Sequence, residues 1–157
     1  MINHRVLVSL SILFAASAIA NEAGQIKVAK GSAFVQRDGQ QLAAIAGMKV
    51  RSADVLITGV DGSIGVTFLD NSLVSTGPNS VFTIDKYDFD STTHSGSFDG
   101  SLKRGTLAAV SGKLVKQAPE SMRIRTPASI MGVRGTEFVV QVEEPATDFT
   151  SQMSKRP

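Results

Sequence analysis

Residues 63–68 read Ser63-Ile64-Gly65-Val66-Thr67-Phe68, with an apolar side chain at every second position. Successive side chains of an extended chain point to opposite faces, so this spacing predicts a strand with one buried face rather than a helix. The same alternation recurs in both directions from there. Upstream, Ile26 and Val28 flank Lys27. Downstream, Phe82 and Ile84 flank Thr83, Met122-Arg123-Ile124-Arg125 sets two arginines opposite two apolar residues, and Phe138, Val140 and Val142 form the last run.

Turn-forming pairs separate these runs. They include Asp38-Gly39, Asp61-Gly62, Asp70-Asn71, Gly77-Pro78-Asn79, Ser95-Gly96, Asp99-Gly100 and Ser111-Gly112. Such residues tolerate a positive φ or close turns through their own side chains. Roughly ten to twelve strands and no long helix are expected. The alanine-rich stretch 41–48 (QLAAIAGM) is short and holds Gly47, so it reads as a strand or an irregular piece. The pattern specifies an all-β fold and leaves sandwich, barrel and solenoid open.

The chain opens MINHR-VLVSLSILFAASAIA-NEAG. A segment carrying Arg5, an apolar run and the small residues of Ala18-Ile19-Ala20 follow the order of a secretory signal peptide. The apolar run is short against the roughly 20 residues that cross a bilayer. Three parts are therefore expected: a leader over 1–20, an all-β domain over 21–142, and a polar tail over 143–157 that carries two prolines and is expected to be disordered. Cleavage after Ala20 would leave a chain without a membrane span, placed in the periplasm or at the cell surface.

Composition narrows the chemistry. Among 157 residues there is no cysteine and no tryptophan, and there are two histidines, one of them in the leader. Disulfides, thiolate metal sites and cysteine nucleophiles are excluded. A net charge of +2 gives no general attraction to nucleic acid, and no aromatic residue lies between Phe98 and Phe138 to stack on bases. The charges are segregated: from Asp54 to Asp99 there are seven Asp and one Lys, and from Lys103 to Arg134 seven Lys or Arg and one Glu. Neighbouring segments that neutralise one another across strands would account for this. Residues 88–99 place Asp88, Asp90 and Asp99 at calcium-loop positions, but Thr93 stands where a glycine is needed and the final Asp is shorter than the usual Glu. The expectation is a solvated loop, with no metal and no cofactor. His94 has no nucleophile motif beside it, so no catalytic residue is assigned and an enzyme is not expected.

Residues 123–140 read RIRTPASIMGVRGTEFVV. This stretch resembles the hallmark of the FecR domain family, a threonine-proline followed by an R-G-T-x-F-x-V strand. The segments Gly47–Val50, Asp54–Gly59, Gly62–Ser72 and Gly77–Ser80 resemble the family's approach, paired strands and next turn, and Leu102–Val115 resembles a strand pair with Gly105 as its glycine. The resemblance spans about 24–142. It implies an exported all-β domain, with many short strands in a solenoid-like, roll-like or two-sheet stack; a β-sandwich is the alternative. The best-known members relay the state of an outer-membrane iron-siderophore receptor to an inner-membrane anti-sigma segment. No anti-sigma domain, receptor-binding domain or further Leu-x-Gly-x-Val strand is found in this sequence, so a stand-alone binding module of the envelope is expected, with a protein partner in sensing or signalling. The alternatives are an envelope-polymer or carbohydrate-binding module and a structural or self-associating assembly domain.

Within the hallmark, Pro127, Gly135, Thr136 and Phe138 read as architectural. Pro127 would end a strand, Gly135 would permit a bulge or close approach, a buried Thr136 hydroxyl would satisfy a backbone group, and Phe138 would fill the core. Arg123, Arg125 and Arg134 are the candidate partner-binding residues, because arginine makes paired contacts with carboxylates and phosphates.

Overall fold

Every alternating stretch lies on a strand. The computed structural model describes residues 21–144; the expected leader and the expected tail from residue 145 onward lie outside the described residues. Twelve strands and one short helix follow in order: β1 (Glu22–Lys30), β2 (Ala33–Arg37), β3 (Gln40–Ala43), β4 (Lys49–Arg51), β5 (Val55–Thr58), β6 (Ser63–Phe68), β7 (Leu73–Thr76), β8 (Val81–Phe89), β9 (Gly96–Val110), α1 (Lys113–Gln117), β10 (Met122–Arg125), β11 (Ile130–Gly132) and β12 (Glu137–Val142). The fold is all-β, as the alternation requires.

The strands form one open sheet, curled into a half-barrel, in the order β3-β2-β5-β8-β9-β7-β6-β1-β4. The long strand β9 makes the curl. Its first part pairs with β8 and, in parallel, with β10. Its last part, Gly105–Val110, pairs with β7 and β12. Between them Gly105 takes φ +90°, and a Cβ there would lie 2.5 Å from Ser80 Cα. Only glycine meets both demands without strain. The Ser80 hydroxyl accepts the Thr106 N–H at 3.0 Å and so pins the bend. One wall of the half-barrel is then β3-β2-β5-β8-β9-β10-β11, and the other is β4-β1-β6-β7-β9-β12.

The two walls close on one core. Leu56, Phe82, Ile84 and Leu102 from the first wall meet Ile26, Ile64, Val66, Phe68 and Leu107 from the second, all essentially buried. Phe68, Tyr87 and Phe98 bridge the walls with ring centroids 4.5–5.5 Å apart, in tilted and edge-on arrangements that suit aromatic quadrupoles.

Three local readings are corrected. Val28 does not share a face with Ile26: the register of β1 against β6 shifts between them, and Val28 is 45% exposed. A bulge advances the chain by one residue and reverses which face each side chain takes, so Ala29 turns inward instead. The stretch Leu102–Val115 is not a strand pair. It is the end of β9, a turn at Ser111-Gly112, and α1. The Asp70 carbonyl accepts the Lys113 N–H at 2.8 Å, which draws the chain out of the sheet and buries Leu114 and Val115. Phe138 does not fill the core. It is half-buried, because β12 is an outer strand covered from one side only.

Candidate functional site

The hallmark stretch is built at the margin of the half-barrel, where the two walls end. Strand β10 lies along the first part of β9 and turns back as β11. The turn is closed by the Thr126 N–H to the Ser129 carbonyl at 2.8 Å and by the Ser129 N–H to Thr126 Oγ1 at 3.1 Å. Pro127 occupies this turn, just after β10 ends, where a fixed φ costs no ladder bond. The chain then crosses to the other wall as β12.

Gly135 and Thr136 lie in that crossing, and their expected roles change. A Cβ on Gly135 would meet nothing closer than 3.9 Å, so no close approach requires a glycine. Thr136 is exposed rather than buried. What holds the crossing is Ser111, whose hydroxyl donates to the Gly135 carbonyl at 2.6 Å while its N–H donates to the Thr136 carbonyl at 2.8 Å. Ser111 stood in the sequence only as half of a turn pair. Its partners lie 24 and 25 residues away, and no local pattern announces them.

The three arginines are not equivalent. Arg123 and Arg125 do project from one face of β10, as alternation requires. Arg123 grips Asp99 with two hydrogen bonds, Nε to Oδ1 at 2.8 Å and an Nη to Oδ2 at 3.2 Å, across the parallel pairing of β10 with β9. This is the one ion pair among the described residues that joins the acidic to the basic segment. Arg134 pairs with Glu120 at 2.7 Å, both largely exposed. Arg125 is exposed and makes no ion pair among the described residues.

Directly after Arg125, the hairpin turn from Thr126 to Ser129 lines a cleft of about 810 Å³. Pro127, Met131, Val140 and Val142 wall it, Val81 contributes apolar surface, and Lys103 and Arg104 line it with charge. Arg104 reaches Glu144 at 2.6 Å through one terminal nitrogen. Its Nε is buried without an acceptor, the single such side-chain nitrogen or oxygen among the described residues. A nitrogen this buried is out of reach of a ligand in the cleft, so its missing hydrogen bond is a cost carried by the fold.

Elsewhere polar side chains serve the fold. Asp54 is 1% exposed and takes both donors of the Arg37 fork, at 2.8 and 2.6 Å; this pairing raises the Arg37 pKa above its ordinary value. Asp70 is fully buried. Its carboxylate accepts Ser72 N–H at 3.2 Å, Ser72 Oγ at 2.6 Å, Leu114 N–H at 3.3 Å and the Tyr87 hydroxyl at 3.0 Å. Burial, reinforced by the nearby Asp70 charge, holds the Tyr87 hydroxyl well above its usual pKa. The acidic loop is a hairpin connection. The Asp90 carboxylate accepts the amides of Thr92 and Thr93 at 2.7 and 3.1 Å, while Asp99 is taken by Arg123. No cluster of three metal-ligating side chains occurs among the described residues.

The family model described as "FecR protein" matches residues 54–151 of the chain. No curated protein matches it. A solved structure described as a cell surface anchoring domain is similar at 31% identity over 39% of this chain and 82% of that one, with a TM-score of 0.38.

Proposed function

Because the chain belongs to the FecR protein family, we propose that it is an exported, non-enzymatic binding module of the periplasm that contacts a protein partner in envelope sensing or signalling. The family is one of envelope-associated domains. The observation that carries the reading is the position of the hallmark stretch. Its residues line an open, largely apolar cleft that Lys103 and Arg104 edge with charge, and Arg125 stands exposed at the end of β10, directly before the turn that lines the cleft. An extended peptide offers what this lining takes, acidic groups for the basic side chains and apolar side chains for the walls. Arg123 is the poorer contact, since its guanidinium is engaged by Asp99. Among the described residues no helix is long and apolar enough to cross a membrane.

The test is site-specific photo-crosslinking in intact envelopes, with the photoreactive residue at Met131 on the cleft wall or at Val60, an exposed position outside it. One discrete protein adduct is expected from Met131, absent from Val60 and weakened by Arg125→Glu. Equal adducts from both positions, or an adduct indifferent to Arg125→Glu, would overturn the reading.

A further inference from the structure

We infer that the Arg104–Glu144 ion pair is a displaceable strap across a longer groove, and that an acidic, extended segment of the partner takes the place of Glu144 and fills the cavities on both sides of it. This rests on the partner contact proposed above and deepens it, adding the second half of the site and the residue that closes it.

A second cavity, of about 380 Å³, adjoins the hairpin cleft. Arg104, Gln141, Val142, Glu143 and Glu144 line both. Beyond these shared residues the cleft reaches Met131 and the hairpin turn, whereas the second cavity reaches Pro78 and Asn79, in the turn between β7 and β8. On β9, Lys103 lines the first cavity, and Gly105 and Thr106 line the second. The two therefore lie along successive parts of one strand, with Arg104 at their boundary. Glu144 is bonded to Arg104 at that boundary.

Bonding separates this pair from the structural ones. Arg37 and Arg123 each hold a carboxylate by two hydrogen bonds, and those carboxylates, on Asp54 and Asp99, belong to buried residues. Arg104 reaches Glu144 through one nitrogen, and the two side chains are 43% and 67% exposed. An exposed pair of this kind adds little to stability, so opening it costs the fold little. The register of β12 against β9 ends at Val142 opposite Gly105. Glu143 and Glu144 lie past that ladder, and Glu144 leaves Arg104 without breaking a strand pairing.

Charge selects the occupant. Lys103 and Arg104 are offset in the cleft lining by Glu143 and Glu144. With the strap closed, an acidic ligand meets no net attraction; once Glu144 leaves, Arg104 takes another carboxylate and the exposed Lys103 stands next to it in the chain. One carboxylate replaces another, the charge balance is kept, and contact with Met131 and Val140 favours the exchange. A basic segment would have to compete with Arg104 for Glu144 and would leave Arg104 beside Lys103 with no counter-charge, so the groove discriminates against it.

Photo-crosslinking of the full chain in intact envelopes tests this, with the photoreactive residue at Pro78 in the second cavity, at Met131 in the cleft, or at Ile45, an exposed position that lines neither. Pro78 and Met131 should capture the same protein, and Ile45 none. Glu144→Gln should raise both adducts roughly two- to five-fold, the range that loss of an exposed ion pair supplies, with the thermal midpoint unchanged. Glu143→Gln removes the same charge without opening the bridge and should raise them less. A Met131 adduct with none from Pro78, in the unmodified chain and in Glu144→Gln alike, would overturn the inference and leave the partner contact standing; no adduct from Met131 would remove both. Equal yields from Glu143→Gln and Glu144→Gln would overturn the strap by reducing it to net charge. A crosslink from Pro78 to the chain itself would overturn it by showing the groove already filled.

Discussion

Around Asp70 the polar side chains are buried and bonded several times over; around β10, β11 and β12 several charged side chains are exposed and hold a single partner or none among the described residues. Asp70 holds Ser72, Tyr87 and the first turn of α1, and Ser72 Oγ in turn accepts the Gly112 N–H at 2.9 Å. At the margin Arg134 and Glu120 form a solvent-exposed pair, and the exposed Arg125 has no ion pair among the described residues. Both regions carry motif residues of the family. The difference teaches that motif residues can serve two unrelated physical ends. Burial decides which one applies. Inside, an unsatisfied group costs its desolvation, so partners are built in; at the margin, water or a partner can satisfy it.

Breaking the buried region should have the largest effect. Asp70→Ala strands the Ser72 and Leu114 amides and the Tyr87 hydroxyl in a dry interior, and a loss of about 3–5 kcal/mol in unfolding free energy is expected in denaturant titration. A loss below about 1 kcal/mol would mean that solvent enters that region and the contrast fails. An intermediate effect is expected from Phe138→Ala. Phe138 is half-buried, so about 1–2 kcal/mol should be lost, against about 3–5 kcal/mol for the fully buried Phe82→Ala. Equal losses would show that the margin is as closed as the core.

The smallest effect concerns acid. The Ser32 amide draws the Asp61 pKa below its ordinary 3.8, and the Thr93 and Thr92 amides do the same for Asp90. A carboxylate whose pKa is depressed by folding contributes stability that is present above the unfolded value and lost as pH falls through the folded one. The thermal midpoint should therefore drop as pH falls below that ordinary value, and Asp90→Asn should flatten part of this limb by only a small amount, because the turn is exposed. An Asp90→Asn variant that loses stability steeply at neutral pH would place the loop with the buried region instead.

Much of the strand content was legible in the residues. Alternation placed β6, β8, β10 and β12, and Asp38-Gly39 marked the β2–β3 hairpin, where both residues take positive φ. What was not legible depended on distance. The bulge in β1 arises from its pairing with β6, so Val28 read as an inward residue. The partners of Asp99, Asp70 and Ser111 lie 24, 44 and 25 residues along the chain at the farthest bonds described for each. The hallmark gave the address of the candidate site, yet the roles of Gly135, Thr136 and Phe138 followed from exposure, which no local spacing reports.

Alternation and turn chemistry are local, because each residue's direction follows from its own backbone, so an all-β chain could be read from the string of residues alone. Among the described residues, which arginine lacks an ion pair and which aspartate is buried depend on the bend at Gly105 that folds one wall over the other. Contacts between residues far apart in the chain exist only after that closure, and tertiary structure alone assigns them.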